Sequence, residues 1–400
     1  MDYWKILCKK WILYVPLFLL TLGCGIDSGK LIVGALICHL LICRKKGIPY
    51  LGTLRKHVKV RQTILFIAFS LICAAVTIPF NHGQGMLLLK YVERIIPLVL
   101  VIFLVRPEEE SFKVLWIGIL VSLTWYIGDT CFHFTWQSGR LSGSFGSPNG
   151  LASTMLTLIP IGLFGIIRYR CECSKLVITA VILLLAASIS ILVCTGSRNA
   201  YFSFAVIWCI LLYTVYRHRD WLLVKVLAGF VVLVCLAAAI AVPGLIGQRM
   251  HQNVQRDGRV YLMQTAVQII KEKPLIGIGM GNWGQVYHER FEADNPNHEV
   301  NMQSPHNIYL QVWNETGIIG LIGFLSLIGF QLKTLFMSLK HFYYYQPHGL
   351  SWLNGLFMPI FSIFLFGLFD YDFFSRHMMH LYWFYWGLCL HAIQYYTKEY

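Results

Sequence analysis

Residues 247–310 read GQRMHQNVQRDGRVYLMQTAVQIIKEKPLIGIGMGNWGQVYHERFEADNPNHEVNMQSPHNIYL. This stretch decides the reading of the fold by contrast, because almost everything on either side of it is compatible with hydrocarbon. It carries Arg249, Arg256, Arg259 and Arg290, and it ends on Ser304-Pro305-His306-Asn307 at the mouth of the next apolar run. A chain that only had to sit in lipid has no use for so long a polar island. Long ordered loops are disproportionately functional.

Outward from the island, the composition is that of a membrane protein. Hydrophobic residues make up 57% of the 400 and charged residues 13%, where a soluble domain carries roughly 25% charged residues. Such a chain is expected to cross the bilayer as helices of about 20 apolar residues, each satisfying its own backbone hydrogen bonds. Windowed hydropathy gives about twelve spans, centred near Phe18, Ala35, Ser70, Pro97, Ile119, Thr157, Leu184, Ile207, Leu233, Gly323, Ile360 and Tyr385. The fold class expected is therefore an all-α polytopic membrane protein. Residues 1–400 form one integral membrane domain, with 246–305 as its large outer loop. The first apolar run lacks a small-residue cleavage site and reads as the start of the bundle.

The net charge of +14 raises a nucleic-acid partner, and its distribution argues against one. Arg44, Lys45, Lys46, Arg55, Lys56, Lys59 and Arg61 crowd one short loop. Arg168, Arg170 and Lys175 sit in a second, and Arg217, Arg219 and Lys225 in a third. With twelve spans these loops share the side of the N-terminus, which the positive-inside rule makes cytoplasmic. Both termini are then inside and the island is outside. The twelve cysteines lie mostly within spans, carry no CxxC framework and imply neither disulfide nor zinc.

Within the island, Asp257 can cap a helix in which Val260, Met263, Val267 and Ile270 recur at helical spacing until Pro274 ends it. This predicts an amphipathic helix at the membrane surface. The glycines of Gly277-Ile278-Gly279-Met280-Gly281 lack the βαβ unit of a dinucleotide site, so turns and close backbone approach explain them. Further on, Ser304 as N-cap and Pro305 at the first helical position make His306 the second residue of a helix. There the free N–H groups and the dipole favour neutral imidazole, a base near neutral pH.

Other polar residues belong with it. Arg198, in Thr195-Gly196-Ser197-Arg198, starts a helix between two apolar spans, where an arginine snorkels or finds an anion. Arg259 falls in the first turn of the surface helix. Two guanidinium groups and helix N-termini facing one histidine suit a diphosphate, which arginine grips bidentately. Arg140 and Asn149 flank a Gly/Ser-rich turn and can hold sugar hydroxyls or phosphate, as an alternative to a simple outward turn. Lys90, Glu93 and Arg94 lie embedded in the fourth span, where charges either pair internally or bind substrate. Asp370-Tyr371-Asp372 reads as a solvated turn, with no His or Cys cluster to make it a metal site.

These pieces resemble a known family. Arg140-x-Ser-Gly-x-Phe-x-x-Pro-Asn149, Thr195-Gly-Ser-Arg198, and Arg259 with the helix running on to Pro274-Leu-Ile-Gly-Ile-Gly279 come first. The strongest is Pro305-His306-Asn307-x-Tyr309-Leu310, followed by Glu315-x-Gly317. In order and spacing they resemble the O-antigen ligase and polymerase superfamily of bacterial membrane glycosyltransferases. The resemblance implies a GT-C-like fold in the bacterial inner membrane, with a periplasmic active site and no cofactor or metal. The implied donor is a glycan on undecaprenyl diphosphate. A ligase passes it to lipid A–core oligosaccharide with inversion, and a polymerase passes it to another lipid-linked repeat. By motif position His306 matches the histidine that activates the acceptor hydroxyl, and Arg198 and Arg259 match the arginines that hold the donor diphosphate. Asn307 and Tyr309 stand as further substrate-side candidates with Arg140, Asn149, Lys90 and Arg94. The compact size and one dominant outer loop favour the ligase over the polymerase. A flippase or transporter for lipid-linked sugars is the non-enzyme alternative, disfavoured by the lack of a visible internal repeat.

Overall fold

The computed structural model describes residues 11–49, 53–106, 108–137, 140–217, 258–296, 298–345 and 347–397. The predicted span near Leu233 and the island up to Asp257, including Arg249, Arg256 and the proposed cap, lie outside the described residues. The described chain is all-α apart from a two-stranded hairpin. Its helices are α1 (Val15–Gly25), α2 (Gly29–Lys46), α3 (Val58–Asn81), α4 (Gly85–Glu93), α5 (Ile96–Leu104), α6 (Glu109–Phe132) and α7 (Pro148–Tyr169). They continue with α8 (Lys175–Cys194), α9 (Arg198–Arg217), α10 (Gly258–Glu272), α11 (Trp283–Arg290), α12 (Ile308–Tyr345), α13 (Pro347–Phe366) and α14 (Arg376–Thr397). Every predicted span centre except Leu233 falls inside one of them.

Five of these helices are long and apolar enough to cross a membrane: α3, α6, α7, α8 and α12. Their burial separates lipid-facing from core helices. On α3, Ile64, Leu65, Phe69, Ile72 and Val76 stay exposed, as expected of a helix whose outer face meets hydrocarbon. Almost all of α7 and α14 is buried. Small residues let these core helices approach closely. A side chain at Gly355 would meet Phe164, and one at Gly165 would meet Trp116. Trp116 in turn donates its indole N–H to the Gly162 carbonyl at 3.0 Å. The centre is filled by Trp352, Trp386, Tyr382 and Tyr385.

The fourth predicted span is not one helix. It breaks after Glu93 into α4 and α5, with Pro97 in the first turn of the second piece. Lys90, Glu93 and Arg94 therefore sit at a break, where self-neutralisation along one helix gives way to partners on other elements. Glu93 pairs with Arg376 at 3.2 Å, and Arg94 donates to the Phe374 carbonyl at 2.5 Å. Lys90 is exposed.

The second break holds the outer segment in place. Inside α12, Gly317 adopts φ 64° and ψ −171°, which frees the carbonyls before it. Ile278 and Gly279 donate their N–H groups to the Asn314 and Glu315 carbonyls at 2.7 and 3.0 Å. The Ile318 N–H returns to the Pro274 carbonyl at 2.9 Å. The glycines at 277, 279 and 281 all have positive φ, so the sequence reading of turns and close approach describes what they do. Above this seam, α10 buries Leu262, Thr265, Ala266, Ile269 and Ile270. That stripe is rotated from the predicted one, and Val267 is exposed. The face turns toward a small core of Ile278, Trp283 and Tyr287.

The seam makes Gly317 a sensitive position. A Cβ there would lie 2.1 Å from the Leu275 carbonyl oxygen, whereas one at Gly329 in the same helix meets nothing within 4 Å. Gly317→Ala is expected to destabilise the protein by roughly 1–3 kcal/mol or more, read as a lowered unfolding temperature in detergent. Gly329→Ala is expected to be neutral or slightly stabilising.

Candidate functional site

The site forms where α13 ends. The last carbonyls of a helix have no intrahelical partner, and here donors from several elements take them. Tyr309 Oη donates to the Phe364 carbonyl at 3.2 Å, and Asn199 Nδ2 donates to that of Phe366 at 2.7 Å. The Ile308 N–H reaches the Gly367 carbonyl at 2.9 Å. Asn307 Nδ2 reaches that of Leu368 at 2.9 Å, and Arg259 Nη1 that of Phe369 at 2.9 Å. The starts of α9 and α12 are thereby drawn onto neighbouring carbonyls, with Arg198 beside one anchor and His306 two residues from the other.

Asp370 comes next in the chain, and it corrects the sequence reading. The turn expected to be solvated is buried: Asp370 is 5% exposed. A buried carboxylate must be paired, and this one collects partners from three elements. Asn149 Nδ2 donates to Oδ2 at 2.7 Å. Arg259 Nη2 donates to Oδ2 at 3.2 Å. His306 Nδ1 stands 3.5 Å from Oδ1, and the Tyr371 N–H donates to Oδ1 at 2.8 Å. Burial works against the charge, but the His306 contact and the Arg259 guanidinium prevail and hold the carboxyl below the usual carboxylate range.

Arg140 and Asn149 extend this network. Arg140 Nη2 donates to Asn149 Oδ1 at 2.6 Å, and its Nε donates to the Thr195 carbonyl at 2.8 Å. The Gly/Ser-rich turn therefore ties the Thr195–Asn199 turn to Asp370. Ser197 Oγ accepts from the Ala200 N–H at 3.4 Å and so caps α9.

His306 is not the second residue of a helix. It stands before α12 in a left-handed conformation, φ 51°, which is strained for a residue with a Cβ. The cap is Asn307, whose Oδ1 accepts from the N–H groups of Tyr309 and Leu310, each at 2.9 Å. Asn307 and Tyr309 thus fix the geometry around His306, and their bonds to α13 serve the same end. Lys90 and Arg94 belong to the α4–α5 break, and Arg94 reaches the turn that begins with Asp370 through the Phe374 carbonyl.

The turn after Asp370 also walls a cavity. Phe373 and Phe374 line an apolar space of about 110 Å³ with Tyr91, Phe324 and Met379, and Ser70, Gln311, Glu315 and Thr316 add polar side chains to its wall. Among the described residues no group of three or more His, Cys, Asp or Glu side chains is arranged to hold a metal ion.

A bundle of apolar helices with histidine, arginine and aspartate gathered at one helix end defines a class: a polytopic membrane protein with a cluster of ionisable side chains, His306, Arg259 and Asp370, at the end of α13. The family comparison narrows it. Residues 179–325 match the family described as O-Antigen ligase, and this match supports placing the chain in the O-antigen ligase superfamily. The matched stretch holds Arg198, Arg259, His306 and Glu315, while Arg140, Asn149 and Asp370 lie outside it. No curated protein matches the chain.

The Asp370 network has a pH signature. Because the folded carboxyl ionises below its unfolded value, its stabilisation is complete above the unfolded pKa and drains away as pH falls through the folded one. Asp370→Asn is expected to cost about 1.5–3 kcal/mol at neutral pH by replacing its charged hydrogen bond with the partly exposed Arg259 by a neutral one. It should also flatten the loss of stability below about pH 4, measured as unfolding temperature against pH.

Proposed function

We propose that this protein is a periplasm-facing glycosyltransferase of the inner membrane, with the twelve-span GT-C-like layout its family resemblance implies. It moves a glycan from undecaprenyl diphosphate to a lipid A–core acceptor by an inverting, metal-independent displacement. The observation that carries this reading is the convergence of Arg259 and His306 on the buried carboxylate of Asp370, beside the starts of α9 and α12.

Asp370 Oδ1 stands 3.5 Å from His306 Nδ1, just short of a formed hydrogen bond, and its charge draws the ring proton to Nδ1 and leaves Nε2 as the base. The assignment follows from that contact. The acceptor hydroxyl gives its proton to Nε2 as its oxygen bonds to the anomeric carbon. The bond from that carbon to the diphosphate oxygen breaks, and its electron pair leaves with the lipid diphosphate. Asp370 stabilises the imidazolium so formed, the part an aspartate plays in a serine–histidine–aspartate triad. Charge growing on the leaving diphosphate falls to Arg259 and Arg198. A guanidinium has five N–H donors, enough for Arg259 to grip Asp370, the Phe369 carbonyl and a phosphate oxygen together. The apolar cavity behind Phe373 and Phe374 suits the first isoprene units of the donor.

A polymerase joining lipid-linked repeats would use the same donor chemistry, so product identity separates the two. A flippase needs cations but no base, and the Asp370–His306 contact has no purpose in one. The test is purified protein with an undecaprenyl-diphosphate glycan and either rough lipopolysaccharide or a second lipid-linked repeat. Transfer to lipopolysaccharide is expected, unaffected by EDTA. His306→Ala should lower the rate by about 10²–10⁴-fold while the protein still inserts and folds. An inserted His306→Ala variant with full activity would overturn the base assignment. Arg198→Lys with normal donor turnover would argue against bidentate diphosphate binding.

A further inference from the structure

Glu315, two residues before the kink at Gly317, has no part in the chemistry above. It is nonetheless buried, 7% exposed, in the wall of the apolar cavity. A carboxylate in such a place needs donors. Gln311 Nε2, one turn earlier on α12, donates to its Oε1 at 2.6 Å. The backbone N–H groups of Gly281 and Trp283 also turn toward the carboxylate. Trp283 opens α11, and the first N–H groups of a helix have no partner within it and favour a negative charge.

The backbone of the same residue holds the same stretch of chain. The Glu315 carbonyl accepts from the Gly279 N–H at 3.0 Å and from Asn81 Nδ2 at 3.3 Å. Asn81 Nδ2 also reaches the Ile276 carbonyl at 2.6 Å, so the end of α3 braces the contact. Residue 315 thus meets the outer segment twice, by its main chain at Gly279 and by its side chain at Gly281 and Trp283.

What is held there carries an arginine of the site. Trp283 stacks on Tyr287 with ring centroids 5.2 Å apart, in a small core shared with Leu262 and Ile269 of α10. Farther along, Arg290 of α11 forks onto both carboxylate oxygens of Glu272 at 2.8 and 2.6 Å. Tyr261 Oη of α10 donates to the Phe291 carbonyl at 2.9 Å. Helices α10 and α11 are therefore tied into one unit. From the first turn of α10, Arg259 reaches Asp370 and the Phe369 carbonyl.

We propose that Glu315 is a positioning residue: its carboxylate clasps the start of α11 and so sets where the α10–α11 unit carries Arg259 over Asp370. The inference rests on the glycosyltransferase reading for its effect on transfer, while the clasp itself stands on the contacts around residue 315. The clasp also lies in the cavity wall. In that reading one side chain holds both the space that takes the lipid and the arginine that receives its diphosphate.

The experiment compares wild type with Glu315→Gln, each also in an Arg259→Ala background, in detergent. Glutamine keeps the shape, but its amide sets a donor against donors. Glu315→Gln is expected to lower kcat/KM for the lipid-linked glycan by about 10–10²-fold, the cost of a displaced group. In the Arg259→Ala background it should cost no more than about twofold further, because the residue it positions is gone. Hydrogen–deuterium exchange in Glu315→Gln should rise across residues 258–296 and stay unchanged in α7 and α14. Equal losses in the two backgrounds would mark a general structural role and overturn the proposal, as would unchanged exchange across residues 258–296. Glu315→Asp, whose shorter side chain draws the carboxylate back from α11, is expected to behave alike and serves if Glu315→Gln does not insert. If wild type itself transfers nothing, the functional reading fails while the exchange data still decide the clasp.

Discussion

The site depends on the C-terminal end of α13. A helix that stops inside a membrane bundle exposes carbonyls and a negative dipole end where little water is available to satisfy them. Here Tyr309, Asn199, the Ile308 N–H, Asn307 and Arg259 each take one carbonyl from Phe364 to Phe369. The buried carboxylate of Asp370 follows, and its need for donors brings in Asn149 and His306. Residues more than 200 positions apart, such as Asn149 and Asp370, meet because these acceptors must be satisfied. The functional geometry and the structural requirement are the same set of bonds.

Two breaks in otherwise apolar helices position the rest. The kink at Gly317 turns backbone carbonyls outward, and the glycine turns at 277–281 supply the matching N–H groups. Irregular backbone at membrane depth is tolerated where protein re-satisfies it, and here it anchors the segment that carries α10 and Arg259. The break between α4 and α5 leaves Arg94 to hold the Phe374 carbonyl, at the far end of the turn that begins with Asp370. The two interruptions therefore act on the two sides of one site.

Much of this was legible in the sequence, for physical reasons. Apolar runs of membrane length announce helices because backbone groups in lipid leave no alternative, and the helices at Ser70, Ile119, Thr157, Leu184 and Gly323 lie where hydropathy put them. Arg198, Arg259 and His306 stood out because cations at the edge of hydrocarbon need a reason to be there. Asp370 did not, because an acidic pair between two spans looks like a turn in water. The overlooked signal was its company. Phe369, Tyr371, Phe373 and Phe374 are too apolar for a solvated loop, and a carboxylate among them needs a buried cation. The helix start at His306 was misplaced by three positions because Ser-Pro is a strong helix-start signal, and only tertiary structure shows that the Asn307 side chain takes the cap. The face of α10 was misread because Val267 satisfies helical periodicity equally well, and what covers a helix is not written in its own spacing.

The account turns on where a lipid diphosphate sits. The most direct measurement is a structure of the protein with an undecaprenyl-diphosphate glycan bound. The diphosphate is expected within hydrogen-bond reach of the Arg259 guanidinium, with the anomeric carbon close to His306 Nε2 and the Asp370 contact to Nδ1 retained. A diphosphate bound away from Arg259, or a His306 ring turned so that Asp370 no longer faces Nδ1, would contradict it.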